Sequence, residues 1–290
     1  MSFREVHYTS PDGLRLYARD HGPEDALRLP VLCLPGLTRN AKDFEPLARV
    51  LAPRRRVVCA DFRGRGRSQY AEDPQTYRPD VELADTLALL DHLKIDRAVV
   101  VGTSRGGIVA MIMAAKAPER LAGLVLNDIG PRIDVAGLLR IRGYLGKDQG
   151  FAGWPEAVAA LKATNPGFET LSETQWQEFA RRVFHEENGS PRADYDAGLA
   201  LTFPSEADIA TGKLPELWGL LPFLAGVPVT VLRGAHSDLL SAETVAEMKA
   251  HLPHLKTVTV ANRGHVPFLD ETESLAAIEQ LLAEADGAAR

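Results

Sequence analysis

Two cysteines in 290 residues exclude a disulfide framework, and both, Cys33 and Cys59, sit inside apolar runs where a buried free thiol is the expected state. No Cys or His pair falls at the spacing of a zinc site. No apolar run approaches the ~18 to 20 residues of a membrane span. The first residues, Met1 to His7, lack the apolar stretch of a secretion signal, so a cytoplasmic location is expected. Positive charge is scarce as well: 33 Lys and Arg against 39 Asp and Glu give a formal charge of −6, which argues against nucleic acid or an anionic membrane surface as the main partner. The local basic clusters, Arg54-Arg55-Arg56 and Arg63 to Arg67, are short and read as solvated turns. Internal repeats and low-complexity linkers are also missing.

What is present is an ordinary globular composition, 45% hydrophobic and 25% charged, long enough for one elaborated α/β domain or two smaller ones. Phe3 to Thr9 and Leu14 to Arg19 alternate apolar and polar residues around Pro11-Asp12-Gly13, a hairpin signal. Strands at Pro30 to Leu34, Arg56 to Asp61, Ala98 to Val101 and Leu121 to Leu126 are separated by helical stretches at Asp43 to Leu51 and Pro79 to Leu93. Such regular alternation implies right-handed crossovers and a mostly parallel, doubly wound sheet, an α/β architecture. The alternation stops near Pro131. From there to Leu224 the chain reads as helical throughout, with a capping box opening at Ser172 and all three tryptophans, Trp154, Trp176 and Trp218. It resumes with strands Val227 to Leu232 and Leu255 to Val260, and helices Ser241 to His251 and Glu271 to Ala285. These strands bring the sheet to about eight. Residues 1–130 and 225–290 are therefore expected to form the core, and 131–224 an inserted helical cap.

Residues 98 to 107, Ala-Val-Val-Val-Gly-Thr-Ser-Arg-Gly-Gly, form the pivot of this plan. An apolar strand ends in a serine bracketed as Gly-x-Ser-x-Gly and passes directly into a helix. So tight a turn strains the serine backbone and pushes its hydroxyl outward. The turn also sets Ser104 at a helix N-terminus, where free N–H groups and the helix dipole favour a developing oxyanion. By itself the pattern equally describes a glycine-rich turn whose serine caps a helix. The loop Asp61-Phe62-Arg63-Gly64-Arg65-Gly66-Arg67-Ser68 is no dinucleotide fingerprint, since the third glycine and the following helix are missing.

A serine nucleophile needs a base, and the base an acid. In open α/β sheets these groups lie on loops beyond the carboxyl ends of strands. Asp238, in Arg233-Gly234-Ala235-His236-Ser237-Asp238, and His265, in Asn262-Arg263-Gly264-His265-Val266-Pro267, occupy two such late loops. The order Ser, Asp, His results. Taken together, these motifs make the sequence resemble the α/β-hydrolase superfamily over nearly its whole length, in the cap-bearing branch that includes many small-molecule esterases. Leu34-Pro35-Gly36-Leu37 corresponds to the loop that supplies half of that family's oxyanion hole. Asp61 to Ser68 is similar to its Asp-x-Arg-Gly-x-Gly-x-Ser loop. The resemblance implies Ser104 as nucleophile, His265 as base, Asp238 as its partner, and the backbone N–H groups of Leu37 and Arg105 as oxyanion donors. Family members usually carry His before the first oxyanion-loop glycine; here Pro35 stands instead, so the anchoring of that loop is expected to differ.

Other residues admit plainer roles. Asp128 also follows a strand and could orient His265 in place of Asp238, or simply close the loop that leaves the core. His236 reads as a loop residue, and His92, His185, His251 and His254 as surface groups. Arg105 would either attract an anionic substrate or pair with a structural carboxylate. Trp154, Trp176, Trp218 and Val266 are candidate substrate contacts. The implied activity is hydrolysis of carboxylic esters with small or medium acyl groups, with a small-molecule ester or related carbonyl compound as partner and no metal or organic cofactor. A C–C bond hydrolase of ring-cleavage diketo acids and a slow-hydrolysing ligand receptor share the scaffold and remain the alternatives.

Overall fold

The computed structural model describes residues 2–24, 26–147, 150–212 and 214–288. Eight strands form one sheet: β1 (Arg4–Thr9), β2 (Arg15–His21), β3 (Val31–Leu34), β4 (Val57–Asp61), β5 (Ala98–Thr103), β6 (Leu121–Asn127) and, after a long excursion, β9 (Val229–Gly234) and β10 (Lys256–Val260). Their spatial order is β1-β2-β4-β3-β5-β6-β9-β10. Only the β1–β2 and β2–β4 pairs are antiparallel. All other pairs are parallel, as the strand and helix alternation predicts.

Central strands β3, β4, β5 and β6 are buried along their whole length, because helices cover both faces and no side chain can point to water. Strand alternation divides their residues between two apolar clusters. Val100 packs with Leu89, Leu90, Val109 and Ala110 of α2 (Pro79–His92) and α3 (Arg105–Lys116). Val99 and Val101 point the other way, toward α1 (Glu45–Leu51) and α9 (Thr272–Ala288), where Leu47, Leu51, Ile278 and Leu281 complete the second cluster. Cys33 and Cys59 lie in that cluster as buried free thiols.

The excursion between β6 and β9 carries α4 (Val135–Tyr144), α5 (Trp154–Thr164), α6 (Glu173–Val183) and α7 (Glu206–Ala210), with α8 (Ala242–His251) following β9. It is not helical throughout. Phe184–Glu187 and Ser190–Ala193 pair as an antiparallel hairpin, β7 and β8, turning on Asn188 and Gly189, both at positive φ. Asn-Gly supplies that backbone at little cost. The capping box at Ser172 is present, its hydroxyl accepting from Gln175 N–H while the Gln175 side chain accepts from Ser172 N–H. This segment has an apolar cluster of its own, built on Leu161, Phe168, Trp176, Phe179 and Phe184.

The basic clusters depart from expectation. Arg55, Arg56, Arg63 and Arg65 are buried rather than solvated, Arg63 and Arg65 completely. Each has acceptors in place: Arg63 spans Asp85 and Asp12, Arg56 holds Asp20, and Arg55 holds Asp286. Among the described residues no helix is long and apolar enough to cross a membrane.

The β5–α3 turn tolerates no extra atoms. A Cβ on Gly106 would stand 2.1 Å from the Leu34 carbonyl oxygen, and one on Gly102 2.7 Å from the Gly106 backbone. Backbone rather than flexible side chain is in the way, so relief requires moving β3 or α3. Gly106→Ala is expected to destabilise the fold by at least about 1–3 kcal/mol, the usual cost of overpacking, as read from urea unfolding. An unchanged midpoint would contradict the packing described.

Candidate active site

Ser104 leaves β5 at φ 49°, ψ −112° and caps α3. A left-handed φ on a residue with a Cβ costs on the order of 1–3 kcal/mol and persists only where surroundings over-determine it. They do so here. Ser104 N–H donates to the Asn127 carbonyl at 3.1 Å, and the Ser104 carbonyl accepts from the N–H groups of Gly107 at 2.9 Å and Ile108 at 3.2 Å.

Strands β5 and β6 run parallel with Thr103 opposite Asn127, so Ser104 and Asp128 leave the sheet side by side at its carboxyl rim. Asp128 also has positive φ, a conformation Asp adopts more readily than most residues. His265 arrives from beyond β10. Its Nε2 lies 3.0 Å from Ser104 Oγ and its Nδ1 2.7 Å from Asp128 Oδ2. A carboxylate only accepts, so Nδ1 carries the ring proton and Nε2 is left to accept from the serine hydroxyl.

The carboxylate beside His265 is therefore that of Asp128, not the expected Asp238. Asp238 instead receives two bonds from Arg140, Nε to Oδ2 at 2.5 Å and Nη2 to Oδ1 at 2.8 Å. Burial alone would raise the Asp238 pKa, but the Arg140 hydrogen bonds and charge outweigh it and hold the carboxyl below its usual range. Asp128 is completely buried and both of its oxygens accept hydrogen bonds. Oδ1 accepts from Gly234 N–H at 2.8 Å, and Oδ2 accepts from Ser237 Oγ at 2.6 Å as well as from His265. Ser237 Oγ in turn accepts from the amides of Leu239 and Leu240. The loop expected to provide the acid thus supplies hydrogen bonds to Asp128 instead. Asn127 adds a second tie, its Nδ2 donating to the Pro267 carbonyl at 3.0 Å and to Thr103 Oγ1 at 3.1 Å, which fixes the His265 loop against β6.

Leu37 and Arg105 flank Ser104, and among the described residues neither backbone N–H donates to another protein group. The anchor that Pro35 cannot provide comes from Arg65. Its Nε donates to the Leu37 carbonyl at 2.8 Å and its Nη1 to the Arg63 carbonyl at 2.6 Å. Its Nη2 stands 2.8 Å from Oε1 of the fully buried Glu82, in ion-pair contact but off the direction of a hydrogen bond. Glu82 Oε2 also faces Arg105 Nε at 3.7 Å. Of the two roles open to Arg105, pairing with a structural carboxylate is the one its side chain adopts.

Two cavities of about 110 and 470 Å³ meet at Ser104 and Leu37. His265, Val266 and Phe268 line the first, together with Arg39, Arg140 and Arg182. Arg105, Ile108, Ile112, Ile129 and Leu138 line the second. Of the four residues expected to contact substrate, Val266 lines the first cavity and the three tryptophans line neither. Trp176 is 4% exposed within the excursion's own core. Trp154 donates its indole N–H to Glu186 and lies under Arg181, while Trp218 packs beside His251 and Arg132. Among the described residues no group of three His, Cys, Asp or Glu side chains is placed to hold a metal ion.

A sheet of this order, with a serine at the β5–α3 turn hydrogen-bonded to a histidine that is itself bonded to an aspartate, defines a class, and the sequence comparison agrees. The family model described as alpha/beta hydrolase fold matches residues 30–272, and the chain belongs to that family. It is 34% identical over 275 residues to the 3-hydroxybutyrate-oligomer hydrolase of Cupriavidus necator, covering 92% of this chain and 93% of that one. It is 27% identical over 285 residues to the 2-hydroxymuconate semialdehyde hydrolase of Pseudomonas sp. strain CF600, covering 96% and 93%. Among solved structures, an alpha/beta hydrolase from Novosphingobium aromaticivorans superposes with a TM-score of 0.88 at 44% identity, over 97% of this chain and 98% of that one.

The Arg65–Glu82 pair yields a stability test. Arg65→Met alone leaves a buried carboxylate facing only the more distant Arg105, a loss expected to cost about 3–5 kcal/mol. Arg65→Met with Glu82→Leu removes both charges and is expected to recover most of it in guanidinium unfolding. Equal losses in the single and double variants would contradict the pairing.

Proposed function

We propose that the protein is a serine hydrolase of carboxylic esters, with Ser104 as nucleophile, His265 as general base and Asp128 as the acid that orients it. The observation carrying this reading is the continuous hydrogen-bonded line from Ser104 Oγ through both ring nitrogens of His265 to Asp128. His265 takes the serine proton as Oγ attacks the ester carbonyl, and Asp128 stabilises the imidazolium that forms. The N–H groups of Leu37 and Arg105 hold the oxyanion. His265 then protonates the departing alcohol. A water, activated by the same imidazole, releases the acid from the acyl-enzyme.

Residues 131–224 act in this reading as a cap that closes over Ser104 and limits substrate size, a role supported by the cavity residues they contribute, among them Arg140, Leu161 and Phe179. The relative from Cupriavidus necator is named for oligomers of 3-hydroxybutyrate, which are esters of a small hydroxy acid. Esters of that size suit the apolar cavity beside Ile108 and Ile112.

Ser104→Ala is expected to lower turnover of p-nitrophenyl butyrate by on the order of 10⁴ to 10⁶ while leaving the circular dichroism spectrum unchanged; undiminished hydrolysis would remove Ser104 from the mechanism. Asp128→Asn is expected to lower it by on the order of 10⁴, as when a triad acid loses its charge, and Asp238→Asn by far less. The reverse ranking would return the acid's role to Asp238. A vinylogous diketo acid hydrolysed faster than every ester in a panel would replace ester cleavage with C–C cleavage as the reaction.

A further inference from the structure

We infer that the protein selects esters whose leaving alcohol carries a free carboxylate, and that Arg182 is the residue that binds it. This rests on the ester-hydrolase reading above and adds the polarity of the substrate in the site.

Three guanidinium groups line the cavity that contains His265. Two already have an anion within the fold: Arg39 grips Asp43 through two hydrogen bonds, and Arg140 grips Asp238 in the same way. Arg182 differs. Its guanidinium lies over the rings of Phe268 at 4.9 Å and Phe179 at 6.0 Å, and among the described residues it has neither an ion pair nor a side-chain hydrogen bond. Asp43 and Asp270 act on it electrostatically without contact. Its backbone is held in place, the Arg182 carbonyl accepting from Asn40 Nδ2 at 3.4 Å and the Phe184 carbonyl from Lys42 Nζ at 3.0 Å. Burial pushes the Arg182 pKa down from its usual value, consistent with a cation that lacks a partner. A planar fork stacked on aromatic rings, with its donors free, suits a carboxylate.

The direction of the substrate follows from the proton. When the acyl C–O bond breaks, the acyl carbon stays on Ser104 Oγ and the leaving oxygen takes its proton from His265 Nε2. The leaving alcohol must therefore lie on the His265 side, in the cavity shared with Arg182. The acyl chain is left the second cavity, walled by Ile108, Ile112 and Leu138, where Arg105 already faces Glu82, Arg132 already pairs with Glu247, and Asp134 and Glu216 add negative charge, so a carboxylate would lose water there with no unpaired cation to receive it. Water then attacks the acyl carbon, His265 accepts its proton, and the acyl acid departs as the proton returns to Ser104 Oγ. The first product is a hydroxy acid and the second the acid of the acyl chain.

Four esters test this on the wild-type enzyme: 3-(butanoyloxy)butanoate, its methyl ester, monoethyl succinate and diethyl succinate. The free acid is expected to exceed its methyl ester in kcat/KM, with the order inverted for the succinates, whose carboxylate lies on the acyl side. Arg182→Gln is expected to shrink the ratio of 3-(butanoyloxy)butanoate to its methyl ester by about 10- to 100-fold, the weight of a charged hydrogen bond, chiefly through KM. Arg182→Lys should restore part of that ratio. A wild-type preference for the methyl ester, or a ratio untouched by Arg182→Gln, overturns the inference even if all four esters are cleaved. Failure of the wild-type enzyme to cleave any ester would overturn the ester-hydrolase reading itself, and this inference with it.

Discussion

One buried carboxylate holds the upper rim of the sheet together. Asp128 receives the Gly234 amide at the end of β9, the Ser237 hydroxyl and the His265 imidazole, while its own N–H donates to the Leu232 carbonyl at 2.7 Å. The end of β6, the end of β9 with its loop, and the His265 loop, three segments far apart in sequence, therefore meet at one pair of oxygens. A completely buried carboxylate is tolerable only when it is hydrogen-bonded, and here each of its three donors also positions something. Gly234 fixes the β9 terminus, Ser237 fixes the loop after it, and His265 is turned so that its second nitrogen meets Ser104. Loss of any one donor would disturb the other two, because they converge on the same group.

A second polar network reaches the Leu37 loop and works through different chemistry. Asp61 closes the loop after β4 by accepting from the amides of Ala41 at 2.6 Å and Arg67 at 2.9 Å. Burial nevertheless pushes its pKa up to about 6. Its unfolded-state value is lower, so folding favours the protonated form, and this group's contribution to stability declines as pH rises from about 4 to 6. Beyond it, Arg63 and Arg65 run inward to Asp85 and Glu82. Buried pairs of this kind add little net stability compared with apolar packing, since desolvation consumes most of the attraction. Their effect is geometric. Arg65 reaches the Leu37 carbonyl and so sets the peptide beside Ser104, and Glu82 also faces Arg105 at the wall of the second cavity.

Most of the fold was legible because it follows from periodicity. Each strand of the main sheet lies within a few residues of its apolar run, and the Ser241 and Ser172 caps open α8 and α6 where their hydroxyls predict. Legibility failed where the answer depended on contacts distant in sequence. Asp238 and Asp128 both lie beyond strand ends at the same rim. What separates them is Arg140, 98 positions from Asp238 and on a different element, which no local pattern announces. A usable signal did exist: Asp128 follows its strand immediately, on the neighbour of the serine strand, whereas Asp238 stands four residues past the end of β9. The buried arginines were misread for a related reason. A run such as Arg63 to Arg67 looks solvated until the carboxylates that receive it, at positions 12, 82 and 85, are brought alongside by the fold. The hairpin at Asn188-Gly189 carried its turn dipeptide openly, but its strands of four residues are too short to show alternation against helical surroundings.

The two cavities at Ser104 differ because different parts of the chain build them. In α3, Val109, Ala110 and Met113 face the sheet. Ile108 and Ile112, four residues apart, occupy the opposite stripe and meet the second cavity. A helix that is apolar on both stripes cannot face water, so its outer stripe must be covered by the excursion between β6 and β9, which brings Leu138 and Phe203 over it. The first cavity is walled instead by loop residues and by the excursion's α6, whose polar stripe carries Arg182. Core and excursion thus both contribute to each cavity, and Arg182 is the excursion's cation beside the His265 loop. The junction of the cavities falls at Ser104, which follows β5 directly at the carboxyl rim of the sheet, next to the β6 end from which the excursion departs, the place where open α/β sheets bind ligands.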